Sequence, residues 1–287
     1  MIAQYVWNGF VSGMILALPA IALTLVYGIL KFPNFAFGAM MTAGAYIALV
    51  LNVNFGLSLL WSAALATIIF AMIAVVIDQT VFRQLRDRDS ITLLVCSMGV
   101  SFVLENIARF IFGNAARSFD IAIARPKYLL GLKINNEQII TAIVALSAMA
   151  AIYFILRHTA LGRAMRAIAD NPSLAAVRGV RRENIICWTW VIAGGLTATA
   201  GVLAGMDRAI DPMLGWNYIV STFAAAILGG LGNPVGAVVG ALAVGIVEET
   251  STLFIPPNYR QAISFLVIAL LLLMRPQGLL GVATIKK

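Results

Sequence analysis

Several charged side chains stand inside otherwise apolar stretches, and their types and spacing could do chemistry. Glu105 and Arg109 are four residues apart, so they can form an ion pair along one face of a helix. Asp78 ends one uncharged run, and Glu248 and Glu249 end another. Charges in apolar surroundings are costly, and they favour a structural ion pair or a role in moving ions or polar solutes. We interpret the Glu105–Arg109 pair as a structural ion pair and Asp78 as a residue at the membrane interface. Glu248 and Glu249 could equally extend to the water at the membrane surface or line a gate.

The rest of the sequence offers no cluster that is typical of catalysis. His158 is the single histidine, and it stands in a basic loop without a cysteine nearby. Cys96 and Cys187 fall in or beside apolar runs, where a small buried side chain is the expected role. The sequence also lacks the glycine-rich pattern of a phosphate-binding loop. We therefore expect no enzyme activity, no catalytic residues, no metal and no cofactor.

The composition indicates which elements must position these residues. Hydrophobic residues make up 61% of the 287 residues and charged residues 11%, whereas soluble domains have roughly 45–50% and 25%. A soluble fold of this length could not hide so much apolar surface. The net charge is +8, but the basic residues lie in short loops between apolar runs, so they indicate membrane topology and no nucleic-acid partner. We expect one all-α membrane domain over residues 1–287.

The long apolar runs divide at turn signals into nine candidate membrane-spanning helices. They cover roughly 9–30, 38–53, 57–78, 91–113, 137–156, 185–206, 216–232, 235–254 and 261–280. The spans 38–53 and 216–232 are short, so eight spans with a re-entrant segment are an alternative. The sequence therefore predicts a polytopic helical bundle of eight or nine transmembrane helices.

The distribution of lysine and arginine predicts the orientation of this bundle. The loops 83–90 and 157–184 and the C-terminal tail together hold twice as many of them as the loops on the other side. Basic loops stay on the cytoplasmic side of a membrane. With nine spans, the N-terminus is expected outside the cell membrane and the C-terminus inside.

Two segments rich in proline, glycine and asparagine interrupt the apolar runs, at 32–38 and 228–237. Backbone without helical hydrogen bonds is tolerated at membrane depth only inside protein or beside water, so these broken helices are candidates for lining a transport path. The alternative is an ordinary loop at the membrane surface. Both segments end in Gly-Ala, at Gly38-Ala39 and Gly236-Ala237, which is a weak hint of an internal repeat.

Glycines recur along three of the predicted spans. They are Gly38 and Gly44, Gly194, Gly195 and Gly201, and Gly236, Gly240 and Gly245. Small residues let helix backbones approach closely in membranes, so this pattern predicts a tightly packed bundle.

The basic loop 157–184 has the sequence of two short helices with a sharp corner between them. Its alanine-rich part, 160–169, favours a helix. Asn171 is a helix N-cap followed by Pro172 at the first helical position, and Gly179 suits a left-handed C-terminal cap. Such defined ends favour either docking to a cytoplasmic partner or binding to the lipid surface, and both alternatives stay open on these grounds.

Four segments together resemble permeases of the branched-chain (hydrophobic) amino-acid ABC importer family. The first is the loop pattern 159–179, with Gly162, Arg163, Arg166, Asn171 and Gly179 in place. The others are 27–38, the glycine-rich stretch 226–240 and the C-terminal motif 275–281. The resemblance covers almost the whole chain, and the absence of long extra loops makes the sequence similar to the shorter permease type of these systems.

The resemblance implies a type II ABC importer-like fold, with both broken segments along the translocation path. The path residues it implies are Asn34, Phe35, Phe37, Gly38, Met41, Gly229, Gly230, Gly232 and Asn233. The loop would couple the permease to ATP hydrolysis through Gly162, Arg163, Arg166, Asn171, Pro172 and Gly179. The partners implied are two ABC ATP-binding subunits, a second permease and a periplasmic substrate-binding protein. At position 37 the family often has a polar residue, and Phe37 predicts a more apolar path.

The residues leave a second function open, namely a stand-alone secondary transporter or channel. Glu105, Glu248 and Glu249 would then couple ion movement to transport. The exact solute is also open among branched-chain amino acids and similar small solutes. Both a pair of identical permeases and a pair of different ones remain possible.

Overall fold

The computed structural model of the chain describes residues 2–121, 127–129, 132–256, 259–274 and 278–280. Its α-helices are α1 (Ile2–Leu30), α2 (Ala36–Leu49), α3 (Leu59–Ile77), α4 (Ser90–Phe112), α5 (Asn136–His158), α6 (Ala160–Asp170), α7 (Pro172–Val177), α8 (Arg182–Asp207), α9 (Leu214–Gly229), α10 (Pro234–Ser251) and α11 (Arg260–Met274). Short π-helical turns, Val50–Asn54 and Asp78–Phe82, extend α2 and α3. An antiparallel hairpin of β1 (Lys127–Leu129) and β2 (Leu132–Ile134) precedes α5.

Nine apolar helices of the described chain correspond one to one with the nine predicted spans. Seven of them are long and apolar enough to cross a membrane, and α9 and α11 are shorter apolar helices. The outward faces of α3, α4 and α5 expose large hydrophobic side chains such as Ile68, Phe110 and Ile143. Only lipid or another membrane subunit can cover such faces. The prediction of an all-α, multi-pass membrane bundle is therefore confirmed.

Helix α1 lies at the centre of the bundle, where it packs against α5, α8, α9 and α10. Glycines make this packing close, as the sequence predicts. A Cβ atom added to Gly13 would lie 2.9 Å from the Ala241 carbonyl oxygen, and one added to Gly245 would lie 2.5 Å from the Gly13 backbone. Backbones at this separation gain many dispersion contacts, which is the main attraction between helices in a membrane.

Two four-helix units, α1–α4 and α8–α11, make matching sets of contacts. Helix α1 packs against α9 and α10 of the other unit, and α8 packs against α2 and α3 in the same way. Within the units, α2 contacts α3 and α4, and α9 contacts α10 and α11. Five apolar helices of the described chain, α1–α5, precede α8. Because each one crosses the membrane, α8 crosses it in the direction opposite to α1. The two units therefore have opposite orientations in the membrane. The predicted internal repeat is therefore present in the fold.

The connections that follow α1 and α8 show the register of this repeat. Before α2, the side-chain oxygen of Asn34 accepts a hydrogen bond from the backbone N–H of Ala36, at 2.9 Å. Before α9, Asp211 accepts the equivalent bond from the N–H of Met213, at 2.7 Å. Both connections therefore use the same kind of side-chain turn, which starts at Asn34, two residues before α2, and at Asp211, three residues before α9.

The first turns of α2 and α9 meet at two glycines. A Cβ atom on Gly215 would lie 1.7 Å from the Gly38 carbonyl oxygen, so neither position has room for a side chain. This contact pairs the segment before Gly38 with the one before Gly215. The predicted match of Gly38-Ala39 with Gly236-Ala237 has the wrong register, because a shared dipeptide carries too little information to fix a repeat.

Candidate functional site

The first predicted break, 32–38, is shorter in the structure, where residues 31–35 are non-helical and α2 begins at Ala36. Asn34 is fully buried and forms the turn before α2. The Phe35 N–H donates to the Ser97 hydroxyl on α4 at 3.0 Å. The Phe35 ring lies 4.5 Å from that of Phe223 on α9, centroid to centroid. The break therefore anchors the start of α2 to two other helices.

The remaining predicted path residues of α2 make helix-to-helix contacts. Phe37 is fully buried, with its ring 6.3 Å from that of Trp190 on α8. Gly38 meets Gly215, and the Met41 carbonyl oxygen would lie 1.9 Å from a Cβ atom on Gly201. In this conformation these residues pack inside one subunit and border neither of the two cavities described below.

The second predicted break forms the tight turn between α9 and α10. Gly230 and Gly232 have positive φ angles of 100° and 94°, which glycine adopts without strain. The side-chain oxygen of Asn233 caps α10 by accepting from the N–H groups of Val235 and Gly236, at 3.1 and 3.2 Å. This turn reverses the chain with its polar groups satisfied.

Residues near the end of the chain close over this turn. The N–H groups of Leu279 and Leu280 donate to the carbonyls of Leu228 and Gly229, at 2.7 and 3.2 Å. A side-chain N–H of Asn233 donates to the Leu280 carbonyl at 3.0 Å. These contacts explain why the glycine-rich stretch and the C-terminal motif occur together, although residues 275–277 and 281 lie outside the described chain.

The larger of two cavities lies among α1, α5, α6 and α10 and has a volume of about 730 Å³. Its walls are mostly apolar, and Gly232 and Asn233 border it. Arg157 and Arg166 line the same cavity from the basic loop. Gly232 and Asn233, in the α9–α10 turn, are therefore predicted path residues that lie next to open space.

The second cavity, of about 300 Å³, is polar and lies at the other end of the bundle. It is bordered by Ser12, Arg208, Asn217, Tyr218, Ser221, Glu248, Arg260 and Gln261. The sequence singled out Glu248 alone among these residues. The others come from four separate parts of the chain, and no local pattern connects them.

The charged residues inside apolar runs all have partners. Glu105 is buried and accepts from Arg109 at 2.5 Å. Glu249 pairs with Arg260 at 2.5 Å. Asp78, expected at the interface, is buried against Arg86 at the end of α3.

The basic loop forms the two short helices that its sequence predicts. The Thr159 hydroxyl caps α6 by accepting from the Gly162 N–H at 3.2 Å. Asn171 caps α7 by accepting from the Leu174 N–H at 3.0 Å. Pro172 opens α7, and Gly179 follows it with a φ of 81°. Capped ends on both helices define the shape of the corner.

One face of this corner packs on the bundle, and the other is open. A Cβ atom on Gly162 would lie 2.2 Å from the Leu156 carbonyl oxygen, so α6 touches the end of α5 directly. Arg163 and Arg166 are exposed on α6. On α7, Leu174 is 59% exposed and Val177 is 84% exposed. Apolar side chains presented on a rigid corner are typical of a surface that another protein covers.

Comparisons with known proteins agree with this architecture. A solved structure, PsaBC from Streptococcus pneumoniae in complex with Fab, matches with a TM-score of 0.53 at 11% identity and covers 96% of this chain and 97% of that one. At this identity the match shows a shared fold.

The sequence matches extend over the whole chain. The high-affinity branched-chain amino acid transport system permease protein LivH of Salmonella typhimurium is 31% identical over 302 residues, which covers 99% of this chain and 97% of the relative. The corresponding protein BraD of Pseudomonas aeruginosa is 30% identical over 310 residues, with the same coverage. A family model described as branched-chain amino acid transport system / permease component matches residues 5–272. The chain therefore belongs to the family of permease components of branched-chain amino acid transport systems.

Proposed function

We propose that this chain is the permease subunit of an ABC importer that moves branched-chain or closely related amino acids across the bacterial inner membrane. The observation that carries the proposal is the capped corner of α6 and α7, with Leu174 and Val177 exposed at its tip. A chain without a nucleotide-binding loop needs a partner to supply energy. The corner supplies a surface for that partner.

The corner has the properties of a coupling element. Gly162 lets α6 lie against the end of α5, so that a push on the corner is passed directly to a membrane helix. Asn171, Pro172 and Gly179 fix the angle and end of α7. Arg163 and Arg166 add positive charge beside the apolar tip, which suits an acidic rim on an ATP-binding subunit.

The solute and the other partners follow from the relatives' names and from the orientation of the charges. Both relatives act in branched-chain amino acid transport systems. The complete importer would contain two ATP-binding subunits, a second permease and a periplasmic substrate-binding protein. The basic loops favour a cytoplasmic position for the corner, which would make the N-terminus periplasmic and the C-terminus cytoplasmic.

The translocation path would involve both predicted breaks in different ways. Gly232 and Asn233 border open space and would contact the solute. Asn34, Phe35, Phe37, Gly38 and Met41 are packed between helices, and Gly229 and Gly230 form the turn. These buried residues would act by holding the contact between the two four-helix units, which must rock against each other for alternating access.

Co-purification tests this proposal. Leu174→Asp places a charge on the apolar tip and should remove the ATP-binding subunits from a gentle pull-down of tagged permease. Gln84→Asp adds the same charge at an exposed position in another basic loop and should leave the complex intact. Retention of both ATP-binding subunits by Leu174→Asp would refute docking at this corner.

The stand-alone transporter remains the competing function, and the same preparation addresses it. Uptake of leucine into liposomes by the purified chain alone, driven by an ion gradient, would contradict an ATP-driven importer. Uptake that requires the co-purified subunits and ATP would support it.

A further inference from the structure

The polar cavity of about 300 Å³ lies far from the coupling corner. It is enclosed by the end of α8, the start of α9, the end of α10, the start of α11 and Ser12 of α1. Because the corner precedes the other end of α8, this cavity is on the opposite side of the bundle. In the proposed orientation that side faces the periplasm, where a solute arrives.

Two of the residues that border the cavity have hydrogen-bond donors without a partner among the described residues. Tyr218 is 5% exposed, and its hydroxyl has no hydrogen-bond partner among the described residues. The Nε–H group of Arg260 also has no hydrogen-bond partner among the described residues. A terminal nitrogen of the same guanidinium pairs with Glu249. The Arg208 guanidinium lies 5.6 Å from the Tyr218 ring centroid. Buried donors without partners are rare in native proteins. Here they belong to residues that border a space in which a ligand with acceptor oxygens can lie.

The cavity also contains one negative group. Glu248 is 8% exposed and accepts from the hydroxyls of Ser221, at 2.5 Å, and Ser264. Both bonds go to the same oxygen, Oε1. The other oxygen, Oε2, is therefore available to a cation that enters the cavity.

We propose that this cavity binds the α-amino-acid head group of the transported solute. The carboxylate would lie toward Arg208, Nε of Arg260 and the Tyr218 hydroxyl, and the ammonium toward Glu248. A simple anion would leave Glu248 without a cationic partner, and a simple cation would face two arginines. A zwitterion satisfies both signs in one cavity, whose size is at the lower end of small-ligand sites.

The walls also determine what the site can distinguish. Apart from the Tyr218 ring, the residues that border the cavity present polar groups. The site therefore grips the head group and leaves an aliphatic side chain without an apolar pocket. We expect leucine, valine and alanine to bind with similar strength, so that discrimination among side chains takes place elsewhere in the importer.

Competition binding to the purified importer complex tests this inference, which rests on the proposed function. Labelled L-leucine is displaced by unlabelled L-leucine or L-alanine. The expected result is little displacement by 4-methylpentanoate, which lacks the ammonium, or by 3-methylbutylamine, which lacks the carboxylate. Equal displacement by 4-methylpentanoate would show a carboxylate site and would overturn the assignment.

Three variants test the named residues. Tyr218→Phe should weaken leucine binding about tenfold, because it removes one hydrogen bond to a charged group. It should leave the melting temperature unchanged or raised, because that hydroxyl has no partner in the unliganded protein. Arg208→Gln and Glu248→Gln should also weaken binding. Tyr259→Phe is the matched control, since Tyr259 is exposed and does not border the cavity.

The outcome separates this inference from the proposed function. Normal ATP-dependent uptake and normal leucine binding in all three variants would overturn the head-group site and leave the importer function intact. Leucine binding with the expected pattern, in a complex that shows no ATP-dependent uptake, would support the site and refute the importer function.

Discussion

The buried ion pair between Arg86 and Asp78 lies at the end of α3. The two side chains are 7% and 2% exposed. Arg86 also donates to Glu183 on α8, at 2.7 Å. Replacing Arg86 by methionine keeps much of the side-chain volume but leaves the Asp78 carboxylate buried without its cation.

The burial of the Arg86–Asp78 pair determines how much stability Arg86→Met should lose. Breaking a buried ion pair by removing one partner costs about 3–5 kcal/mol, because the remaining charge stays desolvated. Arg83 supplies a matched control, since it pairs with the same Glu183 at 3.4 Å but both side chains are more than half exposed. Exposed pairs contribute about 0–1 kcal/mol. We therefore expect Arg86→Met to be far more destabilising than Arg83→Met.

Unfolding of the purified permease in mild detergent, followed by tryptophan fluorescence, measures this difference. Trp190 is a suitable reporter, because it is buried and stacks on Phe82 beside the pair, with ring centroids 5.1 Å apart. Equal unfolding free energies for Arg86→Met and Arg83→Met would refute the reasoning. It would mean that Asp78 reaches water despite its burial.

Two further substitutions test the packing of the bundle. Phe37→Ala should lower the unfolding free energy by about 3–5 kcal/mol, as for a large side chain removed from a packed core; an unchanged stability with altered transport would instead place Phe37 in the path. Gly201→Ala should destabilise or unfold the protein, because its Cβ atom would lie 1.9 Å from the Met41 carbonyl oxygen. Gly99→Ala on α4 is the control. Its Cβ atom would meet no atom within 4 Å, so this variant should be neutral or stabilising. Thermal unfolding of both glycine variants decides this, and equal melting temperatures would contradict the close approach.

Local sequence rules were sufficient to predict the helices of this fold. Nine apolar runs predicted nine helices, because a membrane helix must satisfy its own backbone and therefore shows in the sequence as a long apolar stretch. Asn171, Pro172 and Gly179 predicted the corner, because caps act over three or four residues.

Contacts between helices that are distant in the sequence could not be predicted from local patterns. An apolar helix surrounded by protein, such as α1, and one exposed along its side, such as α5, have similar compositions. The sequence therefore could not show that Phe37 and Met41 pack inside the subunit. The polar cavity could not be predicted for a related reason, since Tyr218 and Arg260 border the same space only after α1, α8, α9, α10 and α11 have assembled around it.

The hydrogen bonds from residues 279 and 280 to the α9–α10 turn impose an order on the biosynthesis of this protein. The carbonyls of Leu228 and Gly229 obtain these partners only after the ribosome has made the segment that follows α11. Until then these two carbonyls lack the partners that they have in the folded protein. Closure of the turn must therefore wait until residues 279 and 280 have been made, and a chain that stops before Leu279 presents an unfinished turn to the proteases that survey newly inserted membrane proteins.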